Sequence, residues 1–276
     1  MDSEGLFPED ERIIEDQEGA AARMLFEQAY SHTVPIVFFQ PVSPDTGPPD
    51  VAGGSGVLVE FDGASYVITC EHVVKGFRTL RKSTPGLQFL IGGLNVNVDE
   101  RLKDADEALD LAIIDASNLA VDRLGARSEK PLQPLRPTRW PPDPVARRGG
   151  LVTVCGFPGG DSRLFDTSSR TVTSGNYRFI ARVDDVGPDH FTVPFDRSTW
   201  ISDHDEPAPA HIRALNLGGL SGCPVFTTRT PGKLLLLELL GIALSTIPFV
   251  GDGVFVRSAN RISTAGLIVR DPRLTR

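Results

Sequence analysis

Three residues with the side chains of a nucleophile, a base and an acid lie far apart in the chain. Ser221 sits in the turn Gly-Gly-Leu-Ser-Gly-Cys-Pro at 218–224, where glycines allow a tight backbone and the close approach of another molecule. His72 follows an apolar, strand-like run, at the point where a loop or helical turn is expected to begin, and Asp110 begins another such run. A serine that attacks a carbonyl carbon needs a base beside it and an acid that orients the base. The three residues therefore predict acyl-transfer chemistry.

Each of these residues also has a purely structural interpretation. A serine between glycines is typical of a solvent-facing β-turn, and a single histidine is usually a core or surface residue. Three other carboxylates compete for the role of the acid: Asp104, Asp106 and Asp115. Asp115 is followed by Ala-Ser and has the setting of a turn residue, which favours Asp110. The placement of His72 after a strand-like run, together with the contexts of Asp110 and Ser221 further along the chain, favours the chemical interpretation.

Composition excludes several classes of protein. The chain has 276 residues, 40% of them hydrophobic, which is enough for one large domain or two small ones. A net charge of −8 argues against general nucleic-acid binding, which requires a basic face. No apolar run reaches the length of a membrane span, and the acidic start lacks the pattern of a secretory signal. We therefore expect a cytoplasmic protein that binds neither nucleic acid nor membrane.

The three cysteines, Cys70, Cys155 and Cys223, are far apart and odd in number. Without an export signal this predicts free thiols in a reducing compartment. Cys70 and His72 have the spacing of a ligand pair, but no second close pair accompanies them, so zinc is not expected. The acyl-transfer chemistry needs no metal or organic cofactor, and we predict none.

The first half of the chain predicts one helix followed by short strands. Apolar residues recur at three- and four-residue spacing over 20–30, which indicates an amphipathic helix. Asp-Gly at 62–63 separates two β-rich runs and predicts a tight hairpin whose second strand leads to His72. Further predicted features are a strand at 34–39, β structure at 87–98, an acidic loop at 99–107 and a strand at 110–114.

The second half repeats this β-rich texture after a connector crowded with proline. Strands are predicted at 151–158, 170–182, 190–194, 234–244 and 253–256, followed by a closing helix over 258–269 with Ser258 as its N-cap. Two successive β-rich halves favour paired barrels or a sandwich. The predicted organisation is an acidic and helical segment (1–33), a first barrel (34–125), the connector (126–150) and a second barrel with the closing helix (151–276).

Five motifs in order give the chain a resemblance to the trypsin/chymotrypsin-like serine peptidases, particularly their bacterial HtrA-type branch. The similarity covers about 34–269. The motifs are Gly-Ser-Gly-Val-Leu-Val at 54–59, Ile-Thr-Cys-Glu-His-Val at 68–73, Asp-Leu-Ala-Ile-Ile at 110–114, Gly-Phe-Pro-Gly-Gly at 156–160 and Gly-Leu-Ser-Gly-Cys-Pro at 219–224.

The resemblance implies an all-β fold of two packed six-stranded barrels and a triad of Ser221, His72 and Asp110. It also implies an oxyanion hole formed by the backbone N–H groups of Gly219 and Ser221, with protein or peptide as substrate. The floor of the substrate pocket would lie on Ala-Leu-Asn at 214–216, that is, on Leu215 and Asn216. Because this stretch has no acid, we expect cleavage after apolar or small residues.

The chain also departs from the family pattern. Cys223 stands where a second glycine usually follows the serine, and Cys70 and Glu71 replace small residues before the histidine. A Cβ at 223 would strain the loop if that position requires a positive φ. The alternative prediction is therefore a catalytically impaired scaffold that binds peptides or partner proteins. No length remains for a PDZ domain, so we expect regulation by loops, by the amino-terminal segment or by a partner protein.

Overall fold

Short apolar runs separated by Gly, Pro and Asp fold into two curled antiparallel sheets. The computed structural model describes residues 19–40, 52–119, 132–142, 146–158, 163–166, 171–174, 176–195, 201–202, 219–229, 236–247 and 253–270. No helix in these ranges is both long and apolar enough to cross a membrane.

The first sheet contains the strand that ends shortly before His72 and the strand that begins directly after Asp110. Its strand order is β5-β4-β1-β2-β3-β7-β6. Asp62 and Gly63 both have positive φ, so the hairpin between β2 and β3 has the predicted tight turn. The strands are β1 (Thr33–Phe39), β2 (Ala52–Phe61), β3 (Ala64–Thr69), β4 (Gln88–Ile91), β5 (Leu94–Asn95), β6 (Leu102–Asp106) and β7 (Leu111–Asp115).

The second sheet carries the turn that contains Ser221, which leads directly into β15. Its order is β12-β13-β17-β16-β15-β8-β11-β14, and β9 and β10 form a separate hairpin. The strands are β8 (Leu151–Gly156), β9 (Arg163–Asp166), β10 (Thr171–Ser174), β11 (Tyr177–Arg182), β12 (Asp185–Val186), β13 (His190–Pro194), β14 (Ile201–Ser202), β15 (Pro224–Arg229), β16 (Leu236–Ile247) and β17 (Gly253–Ser258).

The predicted fold class, a chymotrypsin-like double barrel, is confirmed. Among the described residues the sheets have seven and eight strands rather than six each. The difference comes from strands of two residues at the sheet edges, namely β5 in the first sheet and β12 and β14 in the second. Without them, each sheet has the six longer strands that the resemblance implies.

The helices agree with the sequence only at the amino-terminal side. Helix α1 (Ala20–His32) lies where the periodicity predicts it, and it buries Leu25 and Phe26 against β8 and β11. Helix α2 (Glu71–Ser83) was predicted only as a loop or helical turn. The predicted acidic loop at 99–107 is wrong, because that stretch forms helix α3 (Val98–Arg101) and strand β6.

The predicted closing helix over 258–269 is also wrong. Ser258 ends β17, and only Ala259–Arg261 forms a single 3₁₀ turn, without a side-chain cap. The backbone beyond it forms a turn closed by Ser263 N to Leu267 O at 2.9 Å and Val269 N to Arg261 O at 2.7 Å, and it also bonds to other parts of the molecule. Trp140 Nε1 donates to Ile262 O at 2.6 Å, and Ile268 N donates to Asp104 Oδ2 at 2.8 Å. These contacts compete successfully with the i→i+4 bonds of a helix.

The two sheets share a core at the level of the candidate site. Apolar side chains of β15 and β16, including Phe226 and Ile242, are completely buried in the same cluster as the first sheet's Val57 and Ile68. A second cluster fills the other sheet. Packing of this kind fixes the two sheets against each other, which is what a site with residues from both requires.

Candidate active site

His72 is the second residue of α2 and lies where β3 delivers the chain to the helix. Its backbone N–H is one of the free donors of a helix start, and it donates to Asp110 Oδ1 at 3.0 Å. The ring Nδ1 bonds the other oxygen, Asp110 Oδ2, at 2.7 Å. An ionised carboxylate only accepts hydrogen bonds, so Nδ1 carries the proton and Nε2 is left as the basic nitrogen. The His72 side chain is 46% exposed.

Asp110 reaches both atoms because of an unusual backbone conformation. Its φ is +53°, a left-handed value that Asp tolerates better than most residues. The preceding residue is held on both sides: Leu109 N donates to Asp106 Oδ1 at 2.9 Å, and Leu109 O accepts from Arg257 Nε at 3.1 Å. The turn that presents Asp110 is therefore fixed by contacts from both sheets.

The three competing carboxylates have other partners. Asp104 and Asp106 both pair with Arg270, at 2.7 and 2.8 Å. Asp115 Oδ1 accepts from Ser117 N at 2.9 Å in the turn after β7. Of the four candidates, Asp110 alone bonds His72 in the described part of the chain.

Ser221 belongs to a turn whose glycines adopt conformations that other residues avoid. Gly219 has a φ of +103° and Gly222 a φ of +88°. A Cβ on Gly54 would lie 2.8 Å from both Ser221 O and Val73 Cγ2, so the Ser221 loop and the start of α2 flank the same glycine. In this conformer Ser221 Oγ donates to Leu244 O at 3.1 Å, and no hydrogen bond among the described residues joins Ser221 to His72.

The backbone around Ser221 has two N–H groups without an acceptor among the described residues. Neither Gly219 N nor Ser221 N donates to an acceptor in the described ranges. Consecutive carbonyls of this loop, in contrast, all accept hydrogen bonds: Gly219 O from Ser55 Oγ, Leu220 O from Cys223 N and Ser221 O from Ser55 N. Free donors beside a serine can stabilise a negatively charged oxygen.

Cys223 does not strain the loop. It is not among the described residues with positive φ, and its N–H and C=O bond Leu220 O and Ala243 N at 2.8 and 2.9 Å. Its side chain is fully buried. Burial, and then the neighbouring Cys155, raises the pKa of the Cys223 thiol well above its ordinary value, so it is not a nucleophilic thiolate.

A metal is not favoured at this site by the chemistry of its donors. Cys70, His72 and Asp110 offer atoms within 4.8 Å of one another. However, Cys70 is fully buried, and its Sγ donates to Ala243 O at 3.3 Å. Burial, followed by the charge of Asp110, raises the pKa of the Cys70 thiol strongly. A protonated thiol is a poor metal ligand, because metals bind the thiolate.

Sequence reasoning assigned no role to Ser55, Thr69 and Leu244. Ser55 and Leu244 contact the loop that contains Ser221, and Thr69 contacts Ser55. These contacts join segments that are distant in the chain, so no local pattern indicates them. The predicted pocket residues, Leu215 and Asn216, lie outside the described residues. A cavity of about 490 Å³ does occur in the described part, but it lies between α1, residues 132–142 and the start of β16 and contains none of the three candidate residues.

Comparison with known proteins agrees with this architecture. A family model described as a trypsin-like peptidase domain matches residues 54–235, which is more than half of the chain. A search of curated proteins finds no match. The family match begins in β2 and includes His72, Asp110 and Ser221. The chain therefore belongs to the trypsin-like peptidase domain family.

Proposed function

We propose that this protein is a serine endopeptidase that cleaves peptide bonds with Ser221, His72 and Asp110. The observation that supports this most strongly is the two-point contact between His72 and Asp110, which leaves Nε2 as the basic nitrogen of a half-exposed ring. Membership of the trypsin-like peptidase domain family supports peptide hydrolysis as the reaction. The N–H groups of Gly219 and Ser221, which have no acceptor among the described residues, can stabilise the oxyanion that this reaction forms.

The proposed reaction begins with rotation of the Ser221 hydroxyl away from Leu244 O. Ser221 Oγ attacks the carbonyl carbon of the peptide bond while His72 Nε2 takes its proton. Asp110 stabilises the imidazolium, and the Gly219 and Ser221 N–H groups bind the oxyanion. His72 then gives the proton to the leaving amine, and water hydrolyses the acyl-enzyme by the same steps with His72 as base. Hydrogen bonds in a substrate-free serine site are often loose, so the Leu244 contact is compatible with this role.

The sheet edge beside Ser221 suits an extended peptide. Strand β15 pairs with β16 only as far as Ile242, whereas β17 pairs with β16 up to Ile247. Residues 244–247 therefore have no described partner strand on the side that faces Ser221. An extended substrate adding a strand there would bring its carbonyl groups to the nucleophile.

A fluorophosphonate probe tests the proposal directly, because it reacts only with an activated serine. We expect the wild type to be labelled at Ser221, with labelling abolished in Ser221→Ala and reduced at least 100-fold in His72→Ala. Ser83→Ala is the matched control, since this serine ends α2 and its hydroxyl donates to Leu80 O at 3.0 Å on the exposed surface. A folded wild type that stays unlabelled, alone and with candidate partner proteins present, would refute the proposed activity.

The second candidate function is a peptide-binding scaffold without activity. The contact of Ser221 Oγ with Leu244 O favours it, because that bond directs the hydroxyl proton at a backbone oxygen. A scaffold would bind peptides with equal affinity in the wild type and in Ser221→Ala, and neither would be labelled. Labelling of the wild type but not of Ser221→Ala would decide in favour of the enzyme.

We further propose that cleavage follows apolar or small residues and that a partner protein restrains the activity. The first proposal rests on the absence of an acid at 214–216, and the second on the hazard of an unrestrained peptidase inside a cell. A peptide library should yield products ending in apolar or small residues. Products ending mainly in Arg or Lys would contradict the first proposal, and constitutive cleavage of casein by the isolated protein would contradict the second.

A further inference from the structure

Ser55 is a buried polar residue that contacts the nucleophile loop at two places. It lies in β2, is completely inaccessible to solvent, and is separated by 164 positions from Gly219. Its Oγ donates to Gly219 O at 2.7 Å, and its N–H donates to Ser221 O at 2.8 Å. Its Oγ also accepts from Phe157 N at 2.9 Å, which orients the hydroxyl proton toward Gly219.

These contacts fix peptide planes rather than side chains. A trans peptide is planar, so holding a carbonyl oxygen also sets the direction of the N–H on the following residue, which points the opposite way. Cys223 N holds Leu220 O at 2.8 Å, which sets the direction of the Ser221 N–H. Ser55 holds the planes on either side of that one. Three consecutive planes around Ser221 are therefore fixed from inside the molecule.

Such support is needed because the loop does not define its own shape. Gly219 has a φ of +103°, and glycine moves between positive and negative φ at little cost. The peptide between Gly219 and Leu220 can therefore rotate unless a partner holds its oxygen. In the described residues, that partner is the hydroxyl of Ser55.

Ser55 also connects the loop to the side of the site that carries the base. Thr69 Oγ1 donates to Ser55 O at 2.7 Å, and Thr69 stands three residues before His72 at the end of β3. The main chain of Ser55 thus lies between the nucleophile loop and the strand that delivers the base.

We propose that Ser55 is a positioning residue that holds the Gly219–Ser221 backbone so that its free N–H groups can bind the oxyanion. This inference rests on the proposed serine peptidase function. It assigns Ser55 an effect on the transition state rather than on substrate binding, because the two peptide planes that Ser55 holds flank the plane of the Ser221 N–H, which acts on the charge that develops during attack.

Kinetics with three variants test the catalytic part. Ser55→Ala should lower kcat about 100-fold, comparable to losing one oxyanion donor, with KM changed less than about twofold. Ser55→Thr retains the hydroxyl and should recover most of kcat. Ser65→Ala is the matched control, since Ser65 is a buried strand serine whose hydroxyl has no partner in the described ranges, and it should match the wild type. Unchanged kcat in Ser55→Ala, or equal losses in the Ala and Thr variants at equal stability, would overturn the inference.

Amide hydrogen exchange tests the structural part without relying on activity. Gly222 N and Cys223 N donate to Ala243 O and Leu220 O, and their exchange reports the order of the loop. We expect exchange at these two amides to rise at least 10-fold in Ser55→Ala, while amides between β13 and β17 keep wild-type rates. Unchanged loop protection would overturn the inference even in a protein that no fluorophosphonate labels, so its failure is distinguishable from failure of the proposed function.

Discussion

Asp110 performs two tasks with one carboxylate, capping the first turn of α2 and orienting the ring of His72. In Asp110→Asn, the side-chain amide oxygen can still accept from either the His72 backbone N–H or the ring Nδ1–H. The amide nitrogen, which is a donor, then faces the other of these two groups. If the amide NH₂ group faces the ring, it donates to Nδ1, so the ring proton moves to Nε2 and Nε2 can no longer act as the base. We expect kcat to fall about 10⁴-fold with little loss of stability. Initial rates on a peptide substrate measure this, together with the melting temperature.

The control for that variant is Asp115→Asn, because Asp115 ends the strand that follows Asp110, and its carboxylate accepts from Ser117 in the following turn. It should retain wild-type rates. Equal losses in both variants would mean that the Asp110 effect is structural.

The thiols give a second prediction at the residue scale. Cys70, Cys155 and Cys223 are all free and buried, and the pKa values of Cys70 and Cys223 are raised by burial. A disulfide reagent such as DTNB should therefore react negligibly with the folded protein at pH 8 and release three equivalents after denaturation. Iodoacetamide should leave labelling of Ser221 unchanged. Rapid reaction of one thiol in the folded protein, with loss of activity, would contradict the assignment of a serine nucleophile.

At the scale of elements, the strands were predictable and their partners were not. Consecutive apolar residues and the Asp62–Gly63 turn identify β2 and β3, and these place His72 shortly after the end of a strand. Helix α2 had a readable signal in Val73, Val74 and Phe77, whose buried spacing fits a helix, but its many Lys and Arg residues obscure it. The bond from Ser55 to Gly219 had no local signal, because it joins a strand of the first sheet to the turn that precedes β15 in the second.

Close approach between elements predicts the effect of adding a single methyl group. In Gly54→Ala, the new Cβ would lie 2.8 Å from Ser221 O, closer than carbon and oxygen normally allow. The loop must move, so we expect a loss of at least 100-fold in fluorophosphonate labelling rate. Gly76→Ala is the control, since this glycine lies within α2 and its new Cβ would meet the Phe38 ring of β1 at 3.9 Å, an ordinary contact distance. It should keep full labelling and raise the free energy of unfolding by up to about 1 kcal/mol. Equal labelling in the two variants would contradict the proposed role of the contact.

At the scale of the whole molecule, charged groups connect the second sheet to the turn that carries Asp110. Arg257, on β17, donates to Leu109 O and to Asp189 Oδ2, the latter at 2.7 Å. Arg261 also reaches Asp189, at 3.1 Å. Both arginines are nearly buried, so the Asp189 carboxylate balances two guanidinium groups that water does not solvate well.

This arrangement predicts how stability depends on pH. Burial raises the pKa of Asp189, but the hydrogen bond from His190 and the charges of Arg257 and Arg261 outweigh it, so the net pKa lies below the ordinary value. A carboxyl group with a depressed folded pKa contributes stability above its unfolded pKa, near 3.9, and loses that contribution as pH falls through the folded value. The free energy of unfolding should therefore decline steeply below about pH 4.

Asp189→Asn separates this contribution from general acid denaturation. The variant leaves two buried guanidinium groups without their counter-charge, so we expect a loss of about 3 kcal/mol at pH 7. Its stability should then fall less steeply than that of the wild type between pH 5 and pH 3, roughly the range in which the unfolded carboxyl titrates. Asp99→Asn is the comparison, because Asp99 pairs with Arg78 and Arg81 on the exposed side of α2 and should cost less than about 1 kcal/mol. Urea unfolding at several pH values measures both, and parallel pH profiles for Asp189→Asn and the wild type would show that this charge cluster does not stabilise the link between the sheets.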